Sequence, residues 1–571
     1  MKLWLSNNRL RHPLFFPLLL VAAIFAVYYP TLSAGIHTVD DPGIVSLYSA
    51  CPPLSQVLLP GNSYYYRPLL ELSYWLDNLL WGMEAAVMHL ESVLLHCANA
   101  LLVFLLARRM TGGAGNFSLV PLLAALFFAM HPVNVESVAW IAGRTDPLLA
   151  LFALSACLFW LRWLEELRPR DLCLALLLFA AALLVKETAL AAVAAALLLS
   201  LGWPGRAGVR ERASVLVALL AVGMAAVFYA ISVRGGVSGL TRFMDGADIE
   251  PARWVRDVLV AYGFYARKLA FPLPLNFTIT DVHPMHALAG AVLAPAVWLF
   301  YRCSRQAALL LACAALLTAP AVMVAVVRVA WTPYAERYLY LPSAFFAIGL
   351  AAFAPALSER LRRAMVALLL PICLVFALLT LQRAALWSDK LAFVQDQIRK
   401  SPGFGSPYNE LGALLFHRGE IERAERAFVT ADRLNQRQSM RLPIKANLMG
   451  VRLAKGDYSG VRSAFLLLFK DKSEAPAEFL ELLQKADSGR MYALSGARKA
   501  ALAEDILETL ELLYQKRQDP FWLYRSGQIV LAAGDAPRAA VFFRRSYLAA
   551  PADAHYREAA ATQARKLGEP R

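Results

Sequence analysis

The chain has 571 residues, of which 59% are hydrophobic, and its mean hydropathy is +0.49. Soluble domains of ordinary composition are clearly less apolar, so the composition excludes a wholly soluble protein. The net charge of +15 arises from 57 Lys and Arg against 42 Asp and Glu. Many of these basic residues lie at the ends of apolar segments, as the positive-inside rule expects, so the charge indicates membrane topology rather than nucleic-acid binding.

Apolar runs of spanning length recur along the chain as far as about residue 381 and then stop. A transmembrane helix needs roughly 20 predominantly apolar residues, and we count about eleven runs of this class. Their cores are 14–32, 85–107, 117–130, 147–164, 172–185, 190–201, 213–231, 287–301, 307–327, 339–356 and 364–381. Several runs are short and require tilt or local thinning of the bilayer.

Basic residues cluster before the first run and after every second run. They are Lys2, Arg9, Arg11, Arg108, Arg109, Arg162, Arg168, Arg170, Arg206, Arg210, Arg212, Arg302, Arg305, Arg360, Arg362 and Arg363. This alternation predicts a multi-pass protein with a cytoplasmic N-terminus and a C-terminal part outside the cytoplasm. The corresponding location is the inner membrane of a bacterium, or the endoplasmic reticulum membrane with a lumenal tail in a eukaryote. A cleaved signal peptide is an alternative that the long first apolar stretch disfavours.

The chain from residue 382 onwards is polar and helical in its periodicity. Small and large residues follow one another there as in the helix pairs of tetratricopeptide repeats, in which small residues let two helices approach closely. The residues are Tyr408, Leu411, Gly412, Leu415, Gly419, Ala424, Phe428 and Ala431, then Gly450, Gly456 and Phe465 with one residue missing, then Gly527, Gly534, Ala539, Phe543 and Pro551. The stretch between about residues 471 and 519 is a degenerate version of the pattern.

The predicted fold class is therefore all-α. Residues 1–381 form a polytopic membrane domain, and residues 382–571 form a tetratricopeptide-repeat α-solenoid outside the cytoplasm. Such arrays bind proteins on a concave face, so the tail is expected to bind a protein partner. A plain helical spacer is the alternative.

Polar residues that are costly near a membrane concentrate in the predicted outer loops. They are Asp40, Asp41 and Arg67 in the first loop, His131, Glu136, Arg144 and Asp146 in the second, Lys186 and Glu187 in the third, and Arg337 and Tyr338 in the fifth. The fourth loop contains the segment 254–271, which we interpret as an amphipathic helix on the outer interface, with a re-entrant hairpin as the alternative. Because all five loops share one side, the pattern predicts a site there.

Each of these residues also has a simpler interpretation. Asp41 precedes Pro42, as in a helix N-cap followed by proline, and a histidine before a proline also fits a capping role at a helix end. Lys186 and Glu187 fit an interfacial ion pair, Arg67 and Arg337 fit snorkelling side chains, and Tyr338 fits an aromatic belt. Asp40 has no such simple role, and a carboxylate at a boundary between lipid and water is placed to act as a base.

Short motifs in these loops resemble those of the transmembrane and tetratricopeptide-repeat O-mannosyltransferases, and more distantly the protein O-mannosyltransferases, which are polytopic GT-C glycosyltransferases. The resemblance runs from about residue 34 to 388. It rests on Asp40-Asp41, Tyr66-Arg67-Pro68-Leu69, His131-Pro132-Val133-Asn134-Val135-Glu136, Gly143-Arg144-Thr145-Asp146, Lys186-Glu187, Phe271-Pro272-Leu273-Pro274 and Glu336-Arg337-Tyr338-Leu339-Tyr340-Leu341-Pro342-Ser343. It implies a polyprenyl-phosphate sugar donor, an acidic base in the first outer loop, and inverting transfer, commonly to a Ser or Thr hydroxyl.

The chemistry of such a transfer assigns roles to the loop residues. A base must take the proton of the acceptor hydroxyl, which suits Asp40 with Asp41 beside it. Cations must stabilise the phosphate as it leaves, which suits Arg337, Lys186 and Arg67. The remaining residues are expected to contact sugar or acceptor or to orient the cations. They are His131, Glu136, Arg144, Asp146, Glu187 and Tyr338.

No cofactor is required by this chemistry. A divalent cation held by Asp40 and Asp41 remains an alternative, although the sequence contains no zinc-ligand spacing and no glycine motif for nucleotides. Expected partners are the lipid-linked sugar, membrane lipid and a protein acceptor, with no nucleic acid. A flippase for lipid-linked sugars and a non-catalytic scaffold that presents repeats outside the membrane are the competing functions.

Overall fold

The computed structural model describes residues 14–59, 66–112, 119–203, 205–206, 208–233, 250–328 and 330–568. Among these residues the secondary structure is helical, apart from an isolated antiparallel bridge between Ile279 and Tyr334. The predicted all-α polytopic fold is therefore confirmed. The basic residues Lys2, Arg9 and Arg11 lie outside the described part of the chain.

The first compact unit comprises residues 1–401, and its helices include seven that are long and apolar enough to cross a membrane. They are Phe15–Ser33, Ala85–Met110, Ala142–Glu166, His286–Cys303, Arg305–Val327, Glu336–Ala356 and Glu359–Ser388. The helices Leu119–Ala129 and Pro132–Ala139 form an eighth candidate, bent by 46° at the break between them.

By length and composition the described residues contain seven or eight candidate spans, and the other three of the eleven expected runs form helices that do not meet these criteria. The apolar runs 172–185 and 190–201 form the helices Pro169–Val185 and Ala189–Gly202, of 17 and 14 residues. At about 1.5 Å per residue, both are shorter than the roughly 30 Å hydrocarbon core of a bilayer. The run 213–231 lies in the helix Val209–Val233, which is not among the seven.

Other helices of the first unit are shorter or more polar and connect the spans. They are Asp41–Ser49, Leu54–Leu58, Pro68–Trp81, Pro251–Ala270 and Lys390–Lys400. The helix Pro251–Ala270 is the expected amphipathic helix, and it is not among the candidate spans.

The amphipathic helix packs closely along the helix His286–Cys303. A Cβ atom built on Gly263 would lie 1.8 Å from the carbonyl oxygen of His286, and one on Gly290 would lie 2.1 Å from that of Leu259. Only glycine permits such an approach of two backbones, which is a common device between membrane helices. This contact fixes the position of the amphipathic helix on the span.

Buried polar side chains connect the spans through hydrogen bonds. His96 bonds to the hydroxyl of Tyr340 at 2.7 Å and to the carbonyl oxygen of Ala129 at 3.0 Å. The amide of Asn99 donates to the carbonyl of Pro147 and to the same hydroxyl. Because polar groups inside a membrane are costly unless paired, these contacts favour one arrangement of the helices that they join.

The second compact unit begins at Pro402. Its helices are Ser406–His417, Ile421–Leu434, Gln438–Ala454, Tyr458–Leu468, Ala477–Met491, Gly496–Arg517, Phe521–Ala533, Ala536–Ala549 and Arg557–Lys566. A Cβ on Gly412 would lie 2.6 Å from the ring of Phe428, and one on Gly527 would lie 2.8 Å from that of Phe543. These are the small and large partners that the repeat pattern predicts.

The copy of the pattern with one residue missing packs differently. A Cβ on Gly450 would have no neighbour within 4 Å among the described residues, so this glycine is not a contact point between helices. The repeat assignment of the whole tail stays a prediction. The predicted domain boundary at residue 381 lies within the helix Glu359–Ser388, and Lys390–Lys400 packs with the first unit, where the ring of Phe393 lies 4.3 Å from that of Trp387.

Candidate functional site

A cleft in the first unit opens beside the spans Arg305–Val327 and Glu336–Ala356. Leu317, Pro320, Ala321, Val324, Leu341 and Pro342 form an apolar wall, and Asp146, Lys186, Arg337 and Tyr338 form a polar wall, with Leu149 and Thr188 also lining the cleft. Four residues that the sequence assigned to the site thus share one cavity, although they come from three separate loops. A wall of apolar side chains beside two cations suits a ligand with a hydrocarbon chain and an anionic group.

Arg337 is held by several contacts on the polar wall of the cleft. Its guanidinium donates to a carboxylate oxygen of Glu136 and lies over the rings of Trp140 and Tyr338, at 5.3 and 4.8 Å from their centres. Its side chain is 14% exposed. A guanidinium so held by an ion pair and two aromatic faces is pre-organised for an anion in the cleft.

Glu136 holds the backbone as well as the side chain of this segment. Its Oε2 atom accepts hydrogen bonds from the backbone N–H groups of Glu336 and Arg337, at 3.1 and 3.2 Å. These N–H groups belong to the first turn of the 3-10 helix Glu336–Leu339, where backbone donors lack partners within the helix. Glu136 therefore caps the turn that presents Arg337 to the cleft.

Lys186 is paired with Asp146. The Nζ atom lies 2.5 Å from Oδ1 of Asp146 and 5.7 Å from the centre of the Tyr338 ring. Lys186 is therefore not the partner of its neighbour Glu187, which was the simpler interpretation of the sequence. The two cations of the cleft each have a carboxylate partner and an aromatic neighbour, and Tyr338 is shared by both.

Arg67 forms a bidentate ion pair with Glu187. The Nε and Nη2 atoms donate to the two carboxylate oxygens at 3.2 and 2.7 Å. Desolvation raises the pKa of Glu187, but the charge and hydrogen bonds of Arg67 outweigh it and lower the pKa to about 2. Glu187 directly follows Lys186, so this pair lies next to the cleft without lining it.

The two aspartates of the first loop differ in environment. Asp41 is fully buried, and its carboxylate accepts hydrogen bonds from the backbone N–H groups of His37 and Ala142, each at 3.0 Å. Desolvation raises its pKa to about 7, against the lowering effect of these hydrogen bonds. Asp41 therefore ties the first outer loop to the second.

Asp40 is exposed and occupies the N-cap of the helix Asp41–Ser49 without a capping hydrogen bond from its side chain. The cap position is thus one residue earlier than the sequence suggested. Desolvation raises the pKa of Asp40, while the positive charge of Arg337 opposes this rise. Its φ of 62° and ψ of −38° are unusual for a residue with a side chain, and such strain recurs at functional sites.

His131 and Arg144 are placed away from the cleft. His131 is buried, accepts the N–H of Val133 as an N-cap and lies 3.0 Å from the carbonyl oxygen of Leu269, which matches its simpler interpretation. Arg144 is 1% exposed and pairs with Asp77 at 2.6 Å and with Glu91 at 3.1 Å. Both residues hold the second outer loop in place, and their predicted contacts with sugar or acceptor stay predictions.

The structure adds a buried ion pair that sequence reasoning missed. Lys268, at the end of the amphipathic helix, lies 2.6 Å from Glu336, and the two side chains are 2% and 3% exposed. From the sequence, Lys268 was placed only within the amphipathic segment 254–271, and Glu336 only within a motif. Their separation by 68 positions left no local signal for the pairing.

The described residues contain no group of three or more His, Cys, Asp and Glu side chains arranged to hold a metal ion. The alternative of a divalent cation on Asp40 and Asp41 has one observation against it. Both oxygens of Asp41 already accept backbone hydrogen bonds, so this carboxylate would have to share them with a metal.

Most of the site residues lie in a part of the chain that matches a known protein family. Residues 67–231 match the family of dolichyl-phosphate-mannose-protein mannosyltransferases. This range includes Arg67, Glu136, Asp146 and Lys186, whereas Asp40 and Arg337 lie outside it.

Curated relatives carry related names. The protein O-mannosyl-transferase Tmtc1 of Drosophila melanogaster is 34% identical over 184 residues, which cover 30% of this chain and 21% of the relative. Tmtc2 of the same species is 32% identical over 228 residues, covering 38% and 24%. A protein O-mannosyl-transferase of Caenorhabditis elegans is 24% identical over 389 residues, covering 65% and 54%. The matches to the two fly proteins thus span less than a quarter of the lengths of those proteins. The loop motifs had indicated a resemblance to this group, and the comparisons confirm it.

Proposed function

Since the chain is similar to protein O-mannosyltransferases of the GT-C type, we propose that it is an integral-membrane glycosyltransferase. It transfers a sugar from a polyprenyl-phosphate donor to an acceptor hydroxyl outside the cytoplasm, and the acceptor is a Ser or Thr of a protein. The observation that carries this proposal is the cleft, in which an apolar wall of two spans faces Lys186 and Arg337.

The two walls correspond to the two parts of a lipid-linked donor. The hydrocarbon chain lies along the apolar wall, as the chain of a membrane lipid lies along a span. The phosphate lies against Arg337 and Lys186, whose positive charges stabilise the negative charge that develops on the leaving phosphate. The side chain of Arg67, paired with Glu187 next to this cleft, is the third candidate for the phosphate.

Asp40 acts as the base in this proposal. Its carboxylate is exposed, whereas Asp41 is committed to two backbone N–H groups and orients the loop. A raised pKa makes Asp40 a better proton acceptor than an ordinary surface aspartate. The acceptor oxygen loses its proton to Asp40 and attacks the anomeric carbon, while the bond from that carbon to the phosphate oxygen breaks. One displacement inverts the configuration and needs no covalent intermediate.

The remaining polar residues support donor and acceptor. Asp146, Glu187 and Tyr338 lie in or beside the cleft, where they meet the hydroxyls of the sugar or the acceptor. The helical tail binds the acceptor protein and lies outside the cytoplasm, in agreement with the alternation of basic loops. This arrangement holds for a bacterial inner membrane and for an endoplasmic reticulum membrane.

The test of the base is Asp40→Asn in the full-length protein with polyprenyl-phosphate mannose as donor. Removal of a positioned base lowers the rate by about 10²–10⁴-fold, so we expect transfer to fall by that factor while the protein remains inserted. Asp281→Asn is the matched control, because Asp281 is 71% exposed in another outer loop. Near-normal transfer by the Asp40 variant would remove this residue from the mechanism.

A further inference from the structure

We propose that Lys268 and Glu336 are positioning residues that fix Arg337 for contact with the donor phosphate. This inference rests on the proposed function of the cleft, but it concerns residues that do not line the cleft. It identifies the role of the amphipathic helix, which carries Lys268, in the arrangement of the site.

Lys268 is a buried cation whose hydrogen-bonding capacity is fully used. Its ammonium group donates to Oε1 of Glu336 at 2.6 Å, to the carbonyl oxygen of Pro272 at 3.0 Å and to that of Pro274. An ammonium group has three N–H donors, so each has an acceptor. Burial of a charge costs free energy even when the charge has a partner. We therefore expect a buried pair of this kind to have a structural or functional role.

Glu336 connects this cation to the turn that carries Arg337. Its Oε1 atom also accepts the backbone N–H of Asn276 at 3.0 Å, so the segment after the amphipathic helix is tied to the same carboxylate. The backbone N–H of Glu336 donates to Glu136 at 3.1 Å. The residue before Arg337 is therefore held by its side chain on one side and by its backbone on the other.

The position of Arg337 depends on both contacts of Glu336. Glu136 holds its guanidinium and its backbone N–H, while the direction of the turn is set by the anchored side chain of Glu336. Loss of the anchor would let the turn Glu336–Leu339 shift, and a shift of even 1 Å at a charged contact is enough to lower catalysis strongly. A residue that acts in this way should have no effect once Arg337 is absent.

A double-mutant cycle tests this dependence. The pair is replaced by Lys268→Met with Glu336→Leu, because removal of both partners of a buried ion pair is far less destabilising than removal of one. This double variant, Arg337→Ala and their combination are prepared as full-length proteins in lipid nanodiscs. Binding is measured for a polyprenyl monophosphate and for the neutral polyprenol of the same length.

We expect the double variant to weaken polyprenyl monophosphate binding by roughly tenfold when Arg337 is present and by less than twofold when it is Ala. Equal factors in both backgrounds, or no loss in either, would overturn the positioning role. Arg109→Met with Glu165→Leu is the control, since this ion pair joins two spans at their predicted cytoplasmic ends, does not line the cleft and should leave the preference for phosphate unchanged.

Two further results distinguish failure of the positioning role from failure of the proposed donor site or of folding. If the wild-type protein binds the polyprenol as tightly as the monophosphate, the proposed donor site itself is wrong. If the variant Lys268→Met with Glu336→Leu does not fold, Glu336→Gln replaces it in the same cycle. The amide oxygen of this glutamine can still accept hydrogen bonds from Lys268 and Asn276, while the carboxylate charge is lost. The expected loss for that variant is smaller, and its dependence on Arg337 is the same.

Discussion

At the scale of single residues, each cation that was assigned to the donor phosphate has a carboxylate partner. Arg337 pairs with Glu136, Lys186 with Asp146, and Arg67 with Glu187. The partners orient the cations, and they also reduce the net positive charge that faces a ligand. In the proposed function, recognition of the donor phosphate in this cleft therefore depends more on the directions of the N–H donors than on an excess of positive charge.

This arrangement predicts a difference between two substitutions of Arg337. Arg337→Ala removes the guanidinium and should lower donor hydrolysis and transfer by about 10²-fold, since one charge-stabilising donor at a reacting group is typically worth that much. Arg337→Lys should recover only part of this loss, because an ammonium group cannot form two parallel hydrogen bonds with a phosphate. The measurement is the rate of donor consumption with saturating and with limiting donor.

Arg337→Lys is the informative variant because it keeps a cation against the buried carboxylate of Glu136. A thermal unfolding curve close to that of the wild-type protein would show that the fold is retained. Full activity of the Lys variant would show that charge alone suffices and that the fork geometry plays no part.

The sequence identified the four polar site residues of the cleft but not their pairing. Charged residues in loops next to apolar runs are visible because they are costly there. Their partners are not visible, because Arg337 and Glu136 are 201 positions apart and nothing local joins them. For this reason the simpler interpretation, an ion pair between Lys186 and Glu187, was wrong. The fold brings other charged residues close to both side chains, and these become their partners.

At the scale of helices, seven of the expected spans form single helices of spanning length, and the bent pair forms an eighth. An apolar run predicts burial, but its length decides between a span and a shorter buried helix. Phe179, Ala192 and Val193 of the helices Pro169–Val185 and Ala189–Gly202 are fully buried in the bundle. Leu174, Leu177 and Leu184 of the first helix are exposed, so its shorter length, and not burial, separates it from the seven candidate spans. The amphipathic helix is not among the candidate spans, as its charged residues predicted, and its place on the outer interface stays a prediction.

The contact between the amphipathic helix and the span His286–Cys303 predicts the effect of Gly263→Ala. The added methyl group would overlap the carbonyl oxygen of His286, and overpacking of this kind usually costs about 1–3 kcal/mol. We expect a lower midpoint of thermal unfolding for the purified protein. We also expect slower transfer, because Lys268 would move with the helix.

Gly450→Ala is the control for this effect. Gly450 also lies inside a helix, but a Cβ atom there meets no neighbour within 4 Å among the described residues. Its replacement should be neutral or stabilise by about 0.5–1 kcal/mol, because alanine has the higher helix propensity. Equal destabilisation by both substitutions would mean that the close contact at Gly263 is not the cause.

At the scale of the whole molecule, the number of spans determines the side on which the tail lies. Seven or eleven crossings place the two ends of the chain on opposite sides, whereas eight place them on the same side. The basic loops favour opposite sides. The hydrogen bond from Ala142 to Asp41 brings the chain after the bent pair Leu119–Ala129 and Pro132–Ala139 back to the side of the first outer loop, so this pair counts as a crossing. The contacts of Arg337 with Glu136 and of Lys186 with Asp146 keep the later loops on the same side, as eleven crossings require.

A reporter enzyme that is active only outside the cytoplasm tests this prediction. Fused after Arg571, it should be active, and fused after Arg212, it should be inactive. The reverse result would move all the predicted outer loops to the cytoplasmic side, and the site with them. Activity at neither position would indicate that the tail and the loop at Arg212 are both cytoplasmic, which would contradict eleven crossings.

The division of the chain after Ser401 predicts that the two units have separable tasks. A protein that ends at Ser401 keeps the whole cleft, so it should still consume the donor by slow hydrolysis. Transfer to a protein acceptor should fall strongly, because the acceptor-binding surface that we propose for the tail is lost. Both rates are measured with the same labelled donor, and a parallel fall in both would contradict the division of tasks.

The cleft lies beside two spans, and this position affects how a lipid-linked donor reaches it. A donor that stays in the bilayer while its chain follows the apolar wall never dissolves in bulk water. Its rate of capture then depends on its surface density, that is, on the number of donor molecules per lipid. Dilution with inert phospholipid slows such an enzyme even when the total amount of donor in the vessel is unchanged.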